Sequence, residues 1–598
     1  MSIKAVLIIL TLLLFAVILK NPFKLGIQDW DLNYAYAFAN NISILKYRQI
    51  PLWNPYHCGG ITQIGNAVNL LWTPLYIPVL TFGPVLGYKI QFIIYILIGF
   101  ISAFHLGKYF RISAYSSILI SLVYVLSGLF FAPYSTGMPV FLPLMLLPLV
   151  CLFLYKAINS VDYFKPAILT GLIISLIFLS GFHYILHLLI FIFLIAIIKF
   201  VSSKNLNSFK IFLIIILTFC AISALKILPT LEMILRHPRY ITEEISGYSL
   251  LSFLKSLLWP IQELTSFNNW GVADRNLLKG FSYNIDENSI YIGAIPFTLF
   301  ILGVIKKVKK HKDLTVLLFL LIWLSFGLNV NLSIYGLLRE MPLLNMTRIA
   351  QRFRYYLMIP LILFIGMGMD QLLKWVQHSF AVKSSQLKIF ATMVIFFVGF
   401  DLLIFDQRIL KMAFNFPLPR VVETENFRQK AEKQYYDKNG FQKSLTNFTS
   451  FSAEFPYISG GWGSINCYEP QPVNISAISY NHPSYRGEYY LLENNGKINR
   501  EFWSPNKLIF NLQLKKDDFL IINQNYDPGW KVKINSKNSS IINKDGLLSV
   551  KIPKGRFLIT LYYLPAFFII GFILSLISFL LICRFLLQPN DQNHGLNA

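Results

Sequence analysis

The chain has 598 residues, of which 55% are hydrophobic, 16% aromatic and only 14% charged. So much apolar surface cannot be hidden in water-soluble cores, and a lipid bilayer must cover the excess. The formal charge of +24 is not read as a nucleic-acid signal, because much of the surplus falls in short basic loops that membrane topology and lipid headgroups explain.

The first apolar run, Ala5 to Leu19, closes on Lys20, Asn21 and Pro22 without a small-residue cleavage site, so it reads as a retained span. Further runs of spanning length lie near residues 88–105, 114–132, 139–155, 166–182, 184–198, 211–229, 290–305, 314–330, 355–373, 389–405 and 562–583. The total is about twelve spans. With Lys4 inside, the loops holding Lys108/Arg111, Lys156/Lys165, Lys199/Lys204/Lys210, Lys306–Lys312, Lys374/Lys383/Lys388 and Arg584 become cytoplasmic. Most carboxylates fall in the other loops, and three long outer segments follow: 20–87, 230–289 and 406–561. The expected organisation is a membrane module over 1–405, an outer domain over 406–561, a last helix over 562–584 and a cytoplasmic tail over 585–598.

In the first outer loop Asp29-Trp30-Asp31 follows the first helix, and Pro51-Leu52-Trp53-Asn54-Pro55-Tyr56-His57-Cys58-Gly59-Gly60 comes after it. An acid at the membrane surface can take a proton from an attacking hydroxyl while the scissile bond of a lipid-linked phosphate lies at headgroup depth. The same acids could ligate a divalent cation, magnesium or manganese, although no cofactor is required. They could equally just stop the helix and hold the loop outside. Trp53, Asn54 and Tyr56 are candidate acceptor or cavity contacts, and His57 could bind phosphate or assist proton transfer.

Farther along, His183 and His187 stand one helical turn apart and could line the cavity, ligate a metal or simply pack. Lys226 and Arg236 are possible phosphate partners near the outer end of their span. Glu232 and Glu287, the latter just before Tyr291-Ile292-Gly293, could orient an acceptor or merely mark the interface. Arg348, Arg352 and Arg354 cluster between two spans, where arginine forks suit phosphate oxygens or snorkel to headgroups. Cys151, Cys220 and Cys583 fall in spans, leaving Cys58 and Cys467 outside, and no CxxC or Cys/His metal spacing occurs. Two unrelated thiols are expected rather than a Cys58–Cys467 bond, which an oxidising compartment would allow.

The segment 406–561 turns polar and is rich in Asn, Lys, Tyr and Gly. Phe519–Asn523, Trp530–Ile534, Leu547–Ile552 and Phe557–Tyr562 are β-prone runs divided by Asp527-Pro528-Gly529, Lys544-Asp545-Gly546 and Pro553-Lys554-Gly555. A small antiparallel sandwich is expected, feeding into the last helix through the interfacial aromatics Tyr562 and Tyr563.

Asp29-Trp30-Asp31 and Pro51-Leu52-Trp53-Asn54-Pro55-Tyr56 with Gly59-Gly60 resemble the first loop of the bacterial YfhO family. Tyr526-Asp527-Pro528-Gly529-Trp530-Lys531, Gly546 and Tyr562-Tyr563-Leu564-Pro565 resemble its closing domain and last helix. Leu228-Pro229-Thr230-Leu231-Glu232, Tyr291-Ile292-Gly293, Arg348 and Arg352-Phe353 are similar to its middle landmarks. The resemblance implies a GT-C-type fold and an inverting glycosyltransferase in the bacterial cytoplasmic membrane. Such an enzyme moves a sugar from a polyprenyl-phosphate donor to a cell-envelope glycan or lipid acceptor at an outward-facing site. It implies Asp31 or Asp29 as general base, with Asp31 first because Leu32 and Tyr36 look like the residues that follow the family's acid. The chain is shorter than many family members, so acceptor-binding additions do not carry over.

A transporter or flippase of lipid-linked sugars would have a similar number of spans, but it would carry ionisable residues deep in its helices and related halves, and few buried charges are expected here. A non-catalytic envelope scaffold would not need a dozen spans.

Overall fold

The computed structural model describes residues 3–238, 247–262, 285–341, 344–347, 349–414, 417, 423–430, 454–465, 467 and 473–588. Among these, eight apolar helical segments are long enough to cross a bilayer: 74–109, 114–135, 139–158, 185–203, 207–236, 350–379, 384–411 and 566–587. Shorter apolar helices occupy Ala5–Ile18 and Phe164–Leu179. The helices Ala294–Lys307 and Lys312–Ser325 fall where the remaining two spans are expected. Each apolar run of the sequence therefore contains a helix.

Boundaries differ where glycine and proline mislead. The span placed at 88–105 belongs to a helix that starts at Ile77 and kinks at Gly83-Pro84, so a stretch whose composition reads as loop is helical. The helix Ser384–Ala413 runs past the expected domain boundary at 406. Two helices, Ala294–Lys307 and Arg354–Ser379, cross with their backbones touching. A Cβ on Gly303 would lie 2.0 Å from the Phe364 carbonyl oxygen, and one on Gly368 would lie 1.9 Å from that of Leu299. Only glycine permits this approach.

The charges buried among the helices are more numerous than the sequence suggests. Lys226 Nζ donates to the carbonyls of Asn69 at 2.9 Å and Phe178 at 3.3 Å. Lys89 Nζ donates to the carbonyls of Pro22 at 3.2 Å and Lys24 at 2.9 Å. Both ammonium groups are thus used to satisfy loop carbonyls at the ends of spans, where water is excluded.

In the first loop β1(Trp53–Asn54) pairs with β2(Ile61–Thr62), farther on β3(Arg428–Lys430) pairs with β4(Trp462–Ser464), and the rest of the outer domain is a β sandwich. One sheet runs β10(Lys537–Ser539)-β9(Trp530–Ile534)-β13(Gly555–Tyr563)-β7(Lys507–Leu514)-β6(Gly496–Ser504), and the other β11(Ile542–Lys544)-β12(Leu547–Ile552)-β8(Asp518–Asn525)-β5(Tyr489–Leu491). Every pairing within the two sheets is antiparallel. Alternate residues such as Leu508, Phe510 and Leu512 on β7 and Val550 and Ile552 on β12 fill the space between them. The strand β13 ends at Tyr563 and the last helix begins at Ala566, so the domain sits directly on the membrane.

The first loop is built into this domain. Leu52, Trp53 and Ile64 belong to the sandwich core. Trp53 Nε1 donates to Gln524 Oε1 at 2.7 Å, and Asn525 Nδ2 donates to the carbonyls of Cys58 and Gly60 at 2.6 and 3.0 Å. Cys58 and Cys467 form a disulfide across 409 residues, which corrects the expectation of two unrelated thiols. Sequence distance is a poor guide here, because the outer domain folds back over the loop and brings the two cysteines together.

Candidate active site

The loop enters its functional segment through a helix that composition did not reveal, Trp30–Asn41, with Asp29 at its N-cap position. Trp30 fixes that corner. Its indole Nε1 donates to the Tyr134 carbonyl at 2.7 Å, and its ring meets Tyr34, Tyr88, Tyr134 and Phe414. Gly137, at φ +90°, lies so close that a Cβ would stand 2.1 Å from Trp30 N. Asp29 N donates to the Thr136 carbonyl at 3.1 Å, and Asn33 Nδ2 donates to the carbonyls of Asp29 and Gly137, each at 2.8 Å. The backbone of Asp29 is therefore held from both sides.

Asp29 as a residue is half-buried. Burial first, then the charges of Asp286 and Glu287, raise its pKa from 3.8 to about 7. Asp286 is likewise raised to about 7 by burial and by Glu287, although Arg354 opposes the shift. Thr136 links the two acids, since its carbonyl accepts from Asp29 N and its hydroxyl donates to Asp286 Oδ2 at 3.3 Å. For Glu287 burial pushes upward, but the charges of Arg352 and Arg354 and their hydrogen bonds hold it below the ordinary glutamate value.

Arg352 Nε donates to both Glu287 oxygens at 3.2 Å, and its Nη2 pairs with Oε1. The guanidinium lies over the Tyr184 ring, 3.8 Å from its centroid. Arg354 donates to the backbone carbonyls of Asp286 and Glu287 and stands 3.6 Å from Glu287 Oε2. The fold thus gathers Asp29, Glu287, Arg352 and Arg354 around two residues that sequence reasoning did not select, Thr136 and Asp286. Adjacent acids at 286–287 ahead of a span were the available signal. Thr136 had none.

Other candidates go elsewhere. Asp31 is buried, its Oδ2 accepting from Glu454 N at 2.8 Å and its Oδ1 from Phe455 N at 3.0 Å, so it caps the short helix Glu454–Ser459 of the outer domain. His57 Nδ1 pairs with Glu454 Oε2 at 2.8 Å, and its Nε2 lies 3.3 Å from the Tyr36 hydroxyl. Trp53, Asn54 and Tyr56 are all buried, and Trp53 lines a small cavity with Glu232, Arg236 and Asp527, apart from the acids. Glu232 pairs with Arg236, which reaches Asp527 Oδ2 at 3.1 Å. Lys226 is occupied by carbonyls. The Tyr291 hydroxyl donates to a different acid, Asp401, at 2.9 Å. His183 and His187 instead border the cluster: His183 lies against Tyr184, the ring under Arg352, with centroids 3.8 Å apart, and His187 packs on Phe353 at 5.0 Å within electrostatic reach of Arg352 and Glu287. Arg348 lies outside the described residues.

A divalent cation needs several oxygens converging on one point. Among the described residues the one convergence of three acid, histidine or cysteine donors is His57, Cys58 and Cys467, and the two cysteines are bonded to each other. The oxygens of Asp29, Asp286 and Glu287 are not gathered into such a cage. The arrangement instead offers one half-buried aspartate that changes protonation near neutrality, beside fixed guanidinium charge.

A family described as bacterial membrane protein YfhO matches residues 479–575. The uncharacterized protein YfhO of Bacillus subtilis (strain 168) is 35% identical over 119 residues, 18% of this chain and 14% of that protein. Among solved structures, the mycobacterial arabinofuranosyltransferase AftD overlaps 68% of this chain and 27% of its own, with 14% identity and a TM-score of 0.42. The Archaeoglobus fulgidus oligosaccharyltransferase overlaps 68% of this chain and 53% of its own, with 14% identity and a TM-score of 0.40. The family match falls in the β sandwich and the first part of the last helix, and over that stretch the chain is similar to the bacterial YfhO membrane proteins.

Proposed function

We propose that the protein is a membrane glycosyltransferase of the GT-C type, using a polyprenyl-phosphate sugar and a cell-envelope acceptor at the outer face of the bacterial cytoplasmic membrane. The observation that carries this reading is Asp29, a half-buried aspartate at the membrane end of the first loop with its pKa near 7. A base is most effective when its pKa lies near the working pH. Asp29 takes the proton of the acceptor hydroxyl as that oxygen attacks the anomeric carbon. The bond from that carbon to the phosphate oxygen breaks, the lipid phosphate leaves with the electron pair, and the configuration inverts.

The order of the two aspartates is thereby exchanged relative to the family resemblance. Asp31 has both oxygens engaged by backbone N–H groups, so it acts on the site by tethering the outer domain. Arg352 and Arg354 supply positive charge beside the base, while their donors are already shared with Glu287 and two carbonyls. A donor phosphate would meet that field more than a free guanidinium fork. The buried lysines favour the transporter reading only weakly, because each is bonded to backbone carbonyls and they form no chain of acids and bases.

The test is transfer by purified protein from a panel of polyprenyl-phosphate sugars. Asp29→Asn should lower the rate by about 10² to 10⁴, with the melting temperature in detergent unchanged or higher. If Asp29→Asn keeps full activity, the base assignment fails. If no donor in the panel is consumed while the lipid-linked sugar crosses proteoliposome membranes, the transporter reading takes its place.

A further inference from the structure

At the end of the helical bundle remote from the β sandwich lies a cavity of about 600 Å³. Arg111, Lys199, Lys307, Lys310, His311 and Lys374 line it, contributed by four separate stretches of chain. Positive loops of this kind orient a membrane protein wherever they lie. Topology alone does not require them to converge on one hollow.

The acids nearby do not neutralise it. Asp313 pairs with Lys199 at 2.6 Å. Asp370 accepts from Ser113 N at 3.1 Å and from the Ser116 hydroxyl at 2.7 Å. Among the described residues no ion pair engages Arg111, Lys307, Lys310 or Lys374. Tyr109, Phe110 and Tyr155 form an aromatic wall on one side, the Phe110 and Tyr155 rings 5.1 Å apart. His311 is held below its ordinary pKa by burial first and then by Lys310 and Lys307, so the field of the lysines reaches into the hollow.

We propose that this cavity binds a phosphate group, carried by an anionic lipid of the adjoining leaflet or by a soluble phosphate compound. An arginine and three unpaired lysines match the charge and the oxygens of a phosphate, and the aromatic wall suits the headgroup depth of a bilayer. The site lies at the opposite end of the bundle from Asp29 and is independent of the glycosyltransferase reading.

Lysine acetylation of the full chain in detergent micelles, read by mass spectrometry, tests it. Added phosphatidylglycerol should slow modification of Lys307, Lys310 and Lys374 at least fivefold, leaving Lys204 and Lys388 unchanged. Phosphatidylcholine, whose choline cancels the charge, should slow them less than twofold. Protection by inorganic phosphate alone supports the site and assigns the soluble source; protection by the lipid alone assigns the lipid. In addition, an Arg111→Gln, Lys374→Gln double variant should retain several-fold less phosphatidylglycerol through purification. Unchanged acetylation in both arms, equal protection by phosphatidylcholine, or equal slowing at Lys204 would overturn the proposal. The footprint uses the unaltered protein, so a variant that fails to fold leaves the test intact.

Discussion

Asp29 and Asp31 are separated by one residue and perform different tasks. Because the folded state holds the Asp29 proton more tightly than the unfolded chain does, the stability it contributes is full below about pH 3.8 and is lost as pH rises through about 7. Asp29→Asn should therefore gain stability relative to the parent above pH 7 and lose that gain in acid, as melting curves across pH would show. Transfer by the parent should fall as pH drops below 7, where the base is protonated. Asp31→Ala should instead loosen the Glu454–Ser459 helix, costing about 1–2 kcal/mol of stability, with a smaller effect on rate. Arg352→Ala strips a buried carboxylate of its partner and should cost about 3–5 kcal/mol, seen as loss of monodisperse protein, while Arg352→Lys should lose less. Four members of this cluster, Asp29, Glu287, Arg352 and Arg354, were already candidates from the sequence. The sequence did not tell the aspartate of the cluster from the capping one, because both lie in the same stretch and what separates them is Glu454, more than 400 residues away.

Elements were legible in proportion to how local their cause is. The four β-prone runs became β8, β9, β12 and β13. By contrast, β6 was invisible because Lys497, Asn499, Arg500 and Glu501 make it polar on an edge of the sheet. The helix Trp30–Asn41 was read as loop because its apolar residues surround it instead of forming one stripe. The contact between Gly303 and Gly368 also left no periodic signal. Gly368→Ala places a methyl against the Leu299 carbonyl and should destabilise by about 1–3 kcal/mol, whereas Gly399→Ala, where a Cβ would come no closer than 3.8 Å to a neighbour, should be nearly neutral in the same melting assay. Removing the disulfide with Cys58→Ser and Cys467→Ser should lower stability by about 2–4 kcal/mol and make the outer domain more sensitive to protease.

At the scale of the molecule, orientation follows from charge and can be read by labelling. A cysteine at Asn538, exposed on β10, should react with an impermeant reagent from outside intact cells, and one at the exposed Lys309 should not. Hydropathy alone gave the approximate number of spans, since the bilayer imposes its length on each run separately. The joining of the first loop to the last domain was not legible, because no local rule records it.

That joining sets a timetable. Asp31 and Cys58 emerge early in synthesis, yet Glu454 and Cys467, which complete them, follow some 400 residues later. At ribosomal speeds of about 5–20 residues per second the interval is on the order of 20–80 s. Throughout it the loop has an uncapped acid and a free thiol, exposed to any oxidant or wrong partner at the membrane surface. A chain arrested after Ala413 would already possess its membrane helices up to that point and still lack a finished site, so the loop made first is the part of the protein to mature last.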